Sequence, residues 1–535
     1  MQASGSDLHV SLAVLHGVIW PPGDAGATAL AVSGDRIVAV GTDLEIRALV
    51  HGDARVIDAR GGTIMPAFND AHVHFLMASR SMDQLDLFGA ETQVEVERRT
   101  LEFAAGRNDG GWVLGRGWFY SAFPGGMPSI ELLDRLVPDR PAYLESFDAH
   151  TAWVNSRALA MAGIELDRAS GAMPGILKEA AMLGVQRKLP PRTSGQDLEA
   201  LRAGLRLAAS RGVASVQEAG EGLDQLKLYD SLHDGDELTL RVRLAFDMEP
   251  GLDSTSWAHR LDLYEEASRG RPANDWISTG ILKAFADGVI ESRTASVLEP
   301  YMGMDHDQTG ALGFPLWGTG ELAEAVRTAD ARGWQVQVHA IGDAAIRQAL
   351  DAFEGTTAGR RHRVEHIEAP SAEDIVRFAR LDVIASMQPQ HAEPRGNLLE
   401  VWAANLGAAR AARGWPWASI LRAGGRLAFG TDWPVVPLDP ALSLHVAVNR
   451  QTRAGDPQGG WLPEQRLSLL QAVAGWTSGS AYAQHAEHLI GALRVGMRAD
   501  MAVLDRDLSV TEAAQIATLR VTDTVVGGRI VYEGS

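Results

Sequence analysis

The sequence predicts an α/β protein: a (β/α)₈ TIM barrel carrying a small β-sandwich domain assembled from both ends of the chain. Three observations point there. Both ends read as short strands separated by turns, whereas the middle alternates helical and extended periodicity. Where the extended runs of the middle stop, chemistry-bearing polar residues recur. At 535 residues the chain is too long for one simple unit and suits a large domain with a smaller accessory one.

Composition narrows the function classes. Apolar residues make up 46% and charged residues 22% of the chain, which permits a sizeable core. Lys and Arg number 49 against 68 Asp and Glu, a net charge of −19 that disfavours nucleic-acid and membrane-surface partners. The absence of cysteine removes disulfides, thiolate metal sites and cysteine nucleophiles. No Lys or Arg precedes Arg36, so a secretory leader is not expected. No apolar run approaches the roughly 20 residues of a membrane span. The expectation is a cytoplasmic protein acting on a small molecule, with homo-oligomerisation left open.

At the N-terminal end, residues 11–20 (SLAVLHGVIW), 29–32 (ALAV) and 36–40 (RIVAV) read as strands, the last two flanking a Ser33-Gly34-Asp35 turn. At the other end, residues 501–504 (MAVL) and 521–531, the latter containing Gly527-Gly528, do the same. Residues 1–65 and 485–535 are therefore expected to pair into one β domain. Residues 66–484 form the barrel, with an inserted segment around 107–195. Within the barrel, residues 321–334 are helical and 335–339 (QVQVH) alternate like a strand. Helix 343–354 and strand 361–366 follow. Helix 371–380 opens with a capping-box variant, Ser371 and Asp374. Strand 381–388, helix 416–424, ending at glycine, and strand 426–432 complete the series. Repeated βα units imply a parallel sheet; an open doubly wound sheet fits the same periodicity.

In a barrel of this kind, chemistry sits at the C-terminal ends of the strands. His72 and His74 follow the apolar run 63–68, and residues i and i+2 of an extended chain point the same way, so both imidazoles can chelate one cation. Asp70 is placed to orient one of them. Lys283, in KAFADG, becomes a ligand only as a carbamate; otherwise it is a salt-bridged lysine. His339 ends QVQVH and His366 ends RVEH; either alone also reads as a packed histidine. Asp432, in FGTDWP, is a proton acceptor near an activated water or the N-cap of the next helix. Nitrogen and oxygen ligands without thiolate suit zinc, with manganese, cobalt or iron as alternatives, one or two per chain.

Beyond these residues, the chain resembles the amidohydrolase superfamily, and within it the YtcJ-like branch that includes N-substituted formamide deformylase. The likeness rests on residues 68–74 (FNDAHVH), 115–118 (GRGW), 150–157 (HTAWVNSR), 283–288 (KAFADG) with 292–295 (SRTA), 339–343 (HAIGD), 363–366 (RVEH), 388–391 (QPQH), 429–434 (FGTDWP) and 491–505. The resemblance implies that His72, His74 and Asp432 hold the more buried metal and His339 and His366 the second, with Lys283 as a bridging carbamate. It places His150 and Arg293 facing the substrate, and matches Glu179 without giving it a role. Glu291 stands where this branch commonly has a small residue; facing the pocket, it would favour a cationic substrate.

The expected reaction is hydrolysis of a C–N bond, an amide of the N-formyl or N-acyl kind. Asp432 takes a proton from the attacking water and returns it to the leaving amine, and His150 or Arg293 steadies the oxyanion. Ester, lactone or carbamate hydrolysis and deamination fit the same site, and a regulatory or binding role on a degenerate barrel is the alternative of another class. No Gly-x-Ser-x-Gly occurs to suggest a serine hydrolase.

Overall fold

A computed structural model of the chain describes residues 9–21, 26–107, 111–165, 173–220, 222–269 and 274–534. Its centre is a sheet of eight strands, each parallel to its neighbours: β1 (Phe68–Val73), β2 (Val213–Glu218), β3 (Arg241–Asp247), β4 (Ile277–Phe285), β5 (Gln335–Ala340), β6 (Arg363–His366), β7 (Ile384–Met387) and β8 (Arg426–Phe429). The strands run in sequence order, as a (β/α)₈ barrel requires. Strand alternation divides the side chains. Val242, Leu244 and Phe246 of β3 and Val336 and Val338 of β5 join the large apolar core shared with the surrounding helices. Arg363 of β6 instead crosses the interior, where its guanidinium donates to Gln217, to Ser386 Oγ at 2.9 Å and to the Ala71 carbonyl at 2.6 Å.

The seam between β8 and β1 is closed by side chain and backbone together. Asp70 accepts from Thr431 N (3.0 Å), Thr431 Oγ1 (2.5 Å) and His72 N (3.2 Å). Asp432 N donates to His72 O at 2.7 Å, and His74 N to Trp433 O at 2.9 Å. Gly430 makes the approach feasible, because a Cβ there would stand 2.5 Å from His72 N.

Both ends of the chain contribute to the second of two further sheets. The first pairs Arg36–Gly41, Ala29–Ser33, Leu12–Leu15 and Arg55–Asp58; the second orders Val18–Ile19, Thr63–Pro66, Met501–Leu504, Val521–Val526 and Arg529–Glu533. Leu12, Leu30, Ile64, Met501 and Val503 share one core between them. A fourth sheet, Leu85–Asp86, Val113–Trp118, Ala142–Ser146, Thr151–Val154 and Ile176–Lys178, follows β1 in sequence and carries residues to the barrel mouth. Among the described residues no helix is long and apolar enough to cross a membrane.

Several local expectations change. Residues 11–20 divide into Leu12–Leu15 and Val18–Ile19, on different sheets, because His16 turns the chain at φ 57°. β8 stops at Phe429, since residues 430–432 are drawn into the seam. The helix Ala372–Arg380 begins as expected, but Ser371 does not cap it through its side chain. Its hydroxyl donates to Asp374 Oδ2 at 2.8 Å, and Asp374 is held by Arg347 and Arg377.

The barrel meets the two-ended sheet at a buried ion pair. Arg241 donates from Nε and Nη2 to Asp500 at 2.6 and 3.0 Å, and Asp500 also accepts from Gly527 N. Asp500→Ala should destabilise the protein by about 3–5 kcal/mol, because it strands a buried guanidinium. The double replacement Arg241→Met/Asp500→Leu should regain part of that loss. Urea unfolding of the three proteins measures both effects, and a near-neutral Asp500→Ala would show that the pair contributes little to the junction.

Candidate metal centre

Strand β1 ends by delivering His72 and His74 to the barrel mouth, and the seam brings Asp432 to meet them. Asp432 Oδ1 lies 3.5 Å from Nε2 of both His72 and His74. Its other oxygen is 3.9 Å from His366 Nδ1 and 3.8 Å from His391 Nε2. Both His366 (φ 73°) and Asp432 (φ 60°) leave their strands in the left-handed region, a strained conformation of the kind that clusters at functional sites. In β6 this turn lets Glu365 and His366, which alternation would send to opposite faces, both serve the same site.

Each imidazole is fixed through its second nitrogen or its neighbours. His72 Nδ1 contacts Glu365 Oε2 at 2.6 Å, and Glu365 is held in turn by Arg363 Nε at 2.8 Å. This assigns the proton of His72 to Nδ1 and leaves the lone pair of Nε2 as the ligating position. His366 Nδ1 lies 2.9 Å from Gln388 Oε1. His339 closes the group, its ring 4.4 Å from that of His366 between centroids and its Nε2 3.1 Å from Gly288 O. Lys283 Nζ stands 3.1 Å from His72 Nε2. Burial holds His72, His339 and His366 well below the ordinary histidine range and lowers His74 to about 3, so these imidazoles are neutral, as metal ligands must be. Burial likewise lowers Lys283 to about 8 and raises Asp432 to about 6.

The donor set fits a divalent cation. His72, His366 and Asp432 each offer a ligand atom within 4.8 Å of the others, and Asp432 Oδ1 is buried without a hydrogen-bond partner among the described residues. An orphaned carboxylate oxygen among neutral imidazoles suits a nitrogen- and oxygen-preferring metal such as zinc.

Above this group opens a cavity of about 590 Å³, and His150 faces it from the sheet that follows β1. Its Nδ1 contacts Glu179 Oε2 at 3.0 Å, and its ring lies 5.5 Å from that of His339. Burial opposes charge on His150, but Glu179 outweighs it and raises the imidazole to about 9. The Glu179 carboxylate thus favours the protonated form of His150.

Two expectations are corrected here. Asp70 orients no imidazole, because the seam consumes its acceptors; Glu365 does that for His72. Arg293 is exposed, lies outside the cavity lining and donates through Nε to Asn405 Oδ1 at 2.9 Å. Conversely, the structure adds Glu365, Gln388 and His391, and gives Glu179 a partner. Glu365 carried a readable signal, one residue before His366; Gln388 and His391 lie at and just past the end of β7, inside the motif QPQH.

Compared with known proteins, residues 55–532 match the model of the amidohydrolase family. Protein LONG AFTER FAR-RED 3 of Arabidopsis thaliana is 29% identical over 95% of this chain and 88% of its own. N-substituted formamide deformylase of Arthrobacter pascens is 26% identical over 95% of both chains. The crystal structure of an uncharacterized metal-dependent hydrolase from Pyrococcus furiosus superimposes with a TM-score of 0.69 at 28% identity, covering 93% of this chain and 99% of that one.

Glu365→Gln removes the charge that fixes His72 while keeping its shape. We expect metal affinity to fall about 10- to 100-fold, measured by zinc titration against a competing chelator, with the far-ultraviolet circular dichroism unchanged. An unaltered affinity would show that Glu365 does not tune the ligand.

Proposed function

The chain belongs to the amidohydrolase family, and on that footing we propose that it is a metal-dependent hydrolase cleaving the C–N bond of a small amide of the N-formyl or N-acyl kind, with Asp432 as the proton carrier. The observation that carries this reading is the position of Asp432. Its carboxylate is presented to His72, His74, His366 and His391 at once, with one oxygen unpartnered, at the floor of a substrate-sized cavity. The deformylase relative supports the choice of an amide over an ester.

One or two divalent cations, held by His72, His74 and Asp432 and by His339 and His366, zinc by preference and manganese, cobalt or iron otherwise, would lower the pKa of a reacting water towards neutrality. Lys283 is suited to join as a carbamate. Its lowered pKa leaves a substantial fraction of neutral amine, whose nitrogen adds to the carbon of CO₂ and loses a proton. The remaining steps belong to the chain. Asp432 accepts the proton of the water as its oxygen attacks the carbonyl carbon. His150, kept cationic and oriented by Glu179, supplies positive charge to the developing oxyanion. As the C–N bond breaks, Asp432 returns the proton to the nitrogen, giving one acid and one amine. Phe119 and Phe147 line the cavity and limit water around the reacting carbonyl.

Asp432→Asn should bind substrate but lose about 10²–10⁴-fold in kcat, and chelation should abolish turnover in the native enzyme. The test is a panel of N-substituted formamides, N-acyl amino acids, carbamates and simple esters on zinc- or manganese-loaded protein, with released amine, acid and alcohol quantified. Amine release that vanishes in the variant is the expected result. Alcohol release alone would replace the amide reading by an ester one, and retained turnover in Asp432→Asn would remove that residue from proton transfer.

A further inference from the structure

The cavity over the metal centre has a lining of two kinds. Phe88, Phe119 and Phe147 pack on one another as its aromatic part; its second, polar wall includes Glu291 with its neighbours Asn397, Glu368 and Asp148, and Gln390. On this second wall hydrogen-bond acceptors are left over. Asn397 donates from Nδ2 to Glu291 Oε1 at 3.2 Å, while its own Oδ1 has no partner among the described residues. Among the described residues Gln390, only 3% exposed, has a partner for neither its Oε1 acceptor nor its Nε2 donor, and Asp148 Oδ2 has none either. Glu368 is held by Trp402 Nε1 at 2.7 Å, which fixes one carboxyl oxygen and leaves the other 3.9 Å from His391.

Lys178 and Arg116 offset the charge of Asp148, but the cations that line the cavity beside Glu291 and Glu368 are engaged elsewhere. Arg395 lines the cavity but is committed to Glu393 at 2.7 Å and to Glu91 at 3.0 Å, and His150 is committed to Glu179. Burial first, then the neighbouring Glu368 and Asp148, holds the Glu291 carboxyl well above the usual carboxylate range. Carboxyls gathered in a low-dielectric site without a counter-ion behave in this way.

We propose that this wall is a recognition subsite for a cationic, hydrogen-bond-donating group on the substrate, an ammonium or protonated amine, with Glu291 as the residue that sets the preference. The inference rests on the amide-hydrolase reading and names the substrate class within it: an amide whose apolar body lies against the phenylalanines and also bears a second amine. A primary ammonium has three donors. Glu291 and Asn397 Oδ1 supply acceptors side by side, Gln390 Oε1 lines the same cavity, and charge-assisted bonds of this type are the strong ones. The same wall rejects carboxylate-bearing substrates by like-charge repulsion. Glu291 thus faces the cavity and gains a role that its departure from the branch's usual small residue only hinted at.

The test uses three matched probes: N-[4-(aminomethyl)benzyl]formamide, its 4-ethyl analogue and its 4-carboxymethyl analogue. Calorimetry on metal-loaded Asp432→Asn protein measures binding without turnover, and the native holoenzyme measures kcat/KM. The ammonium probe should bind about tenfold or more tightly than the ethyl probe, and the carboxymethyl probe should bind weakest. Added to the same protein, Glu291→Gln should narrow the first gap and Glu291→Lys should invert the order of the charged pair. Ethyl binding equal to or tighter than ammonium binding, no measurable ammonium binding, or a gap unmoved by Glu291→Gln each overturns the subsite. Should the binding order hold while the native enzyme hydrolyses none of the probes, the subsite stands and the amide-hydrolase reading fails.

Discussion

The contact on which the site depends is the closure of the barrel by Asp70. A sheet of eight parallel strands ends in two edges that have to meet, and in this chain one carboxylate joins them at the mouth beside two backbone hydrogen bonds. Asp70 takes both the backbone and the hydroxyl of Thr431, together with the backbone of His72. His72 and Asp432 are far apart in sequence, yet each is a close neighbour of this carboxylate along its own strand. Closing the seam and assembling the metal centre are thus one event. Gly430 belongs to the same arrangement, since the two strands could not approach with a side chain between them. Burial raises Asp70 to about 7, opposed by the three bonds it accepts, so the seam group is costly to bury and well satisfied once buried.

Beneath the mouth the barrel interior is polar, and that polarity has a purpose in geometry more than in stability. Arg363 and Glu365 form a wholly buried ion pair. Such pairs rarely stabilise a fold beyond what apolar packing would achieve. Here the pair extends from Gln217, Ala71 and Ser386 on one side to His72 on the other. The tautomer and direction of one imidazole are therefore anchored to several strands.

The fold was legible because its signals are periodic. Alternation in QVQVH and RVEH, helices between them, and strand-rich ends suffice to place β5, β6 and the two-ended sheet. The gathering of the histidines and Asp432 at the barrel mouth was legible because polar residues of ligand type recur at strand ends. Arg293 was expected at the substrate, but it bonds Asn405, a partner more than a hundred residues away that residue spacing cannot convey. Asp70 was given an imidazole to orient because sequence shows the nearest histidine in the chain but not the strand that closes against it. His391 and Glu365 depend on partners remote in sequence, and the pairing of Glu179 with His150 requires knowing which strands of the sheet after β1 lie side by side.

That sheet divides the labour of the molecule. Every candidate metal ligand stands at the end of a barrel strand or in the seam, whereas His150, Asp148, Phe119 and Phe147 lie on or between the strands of the segment that follows β1. The candidate ligands and the aromatic part of the cavity lining are therefore encoded in separate stretches of chain that meet across the cavity. A change in the later sheet can reshape the pocket without touching a ligand, provided that His150 and Glu179, which belong to the same stretch, are carried along with it.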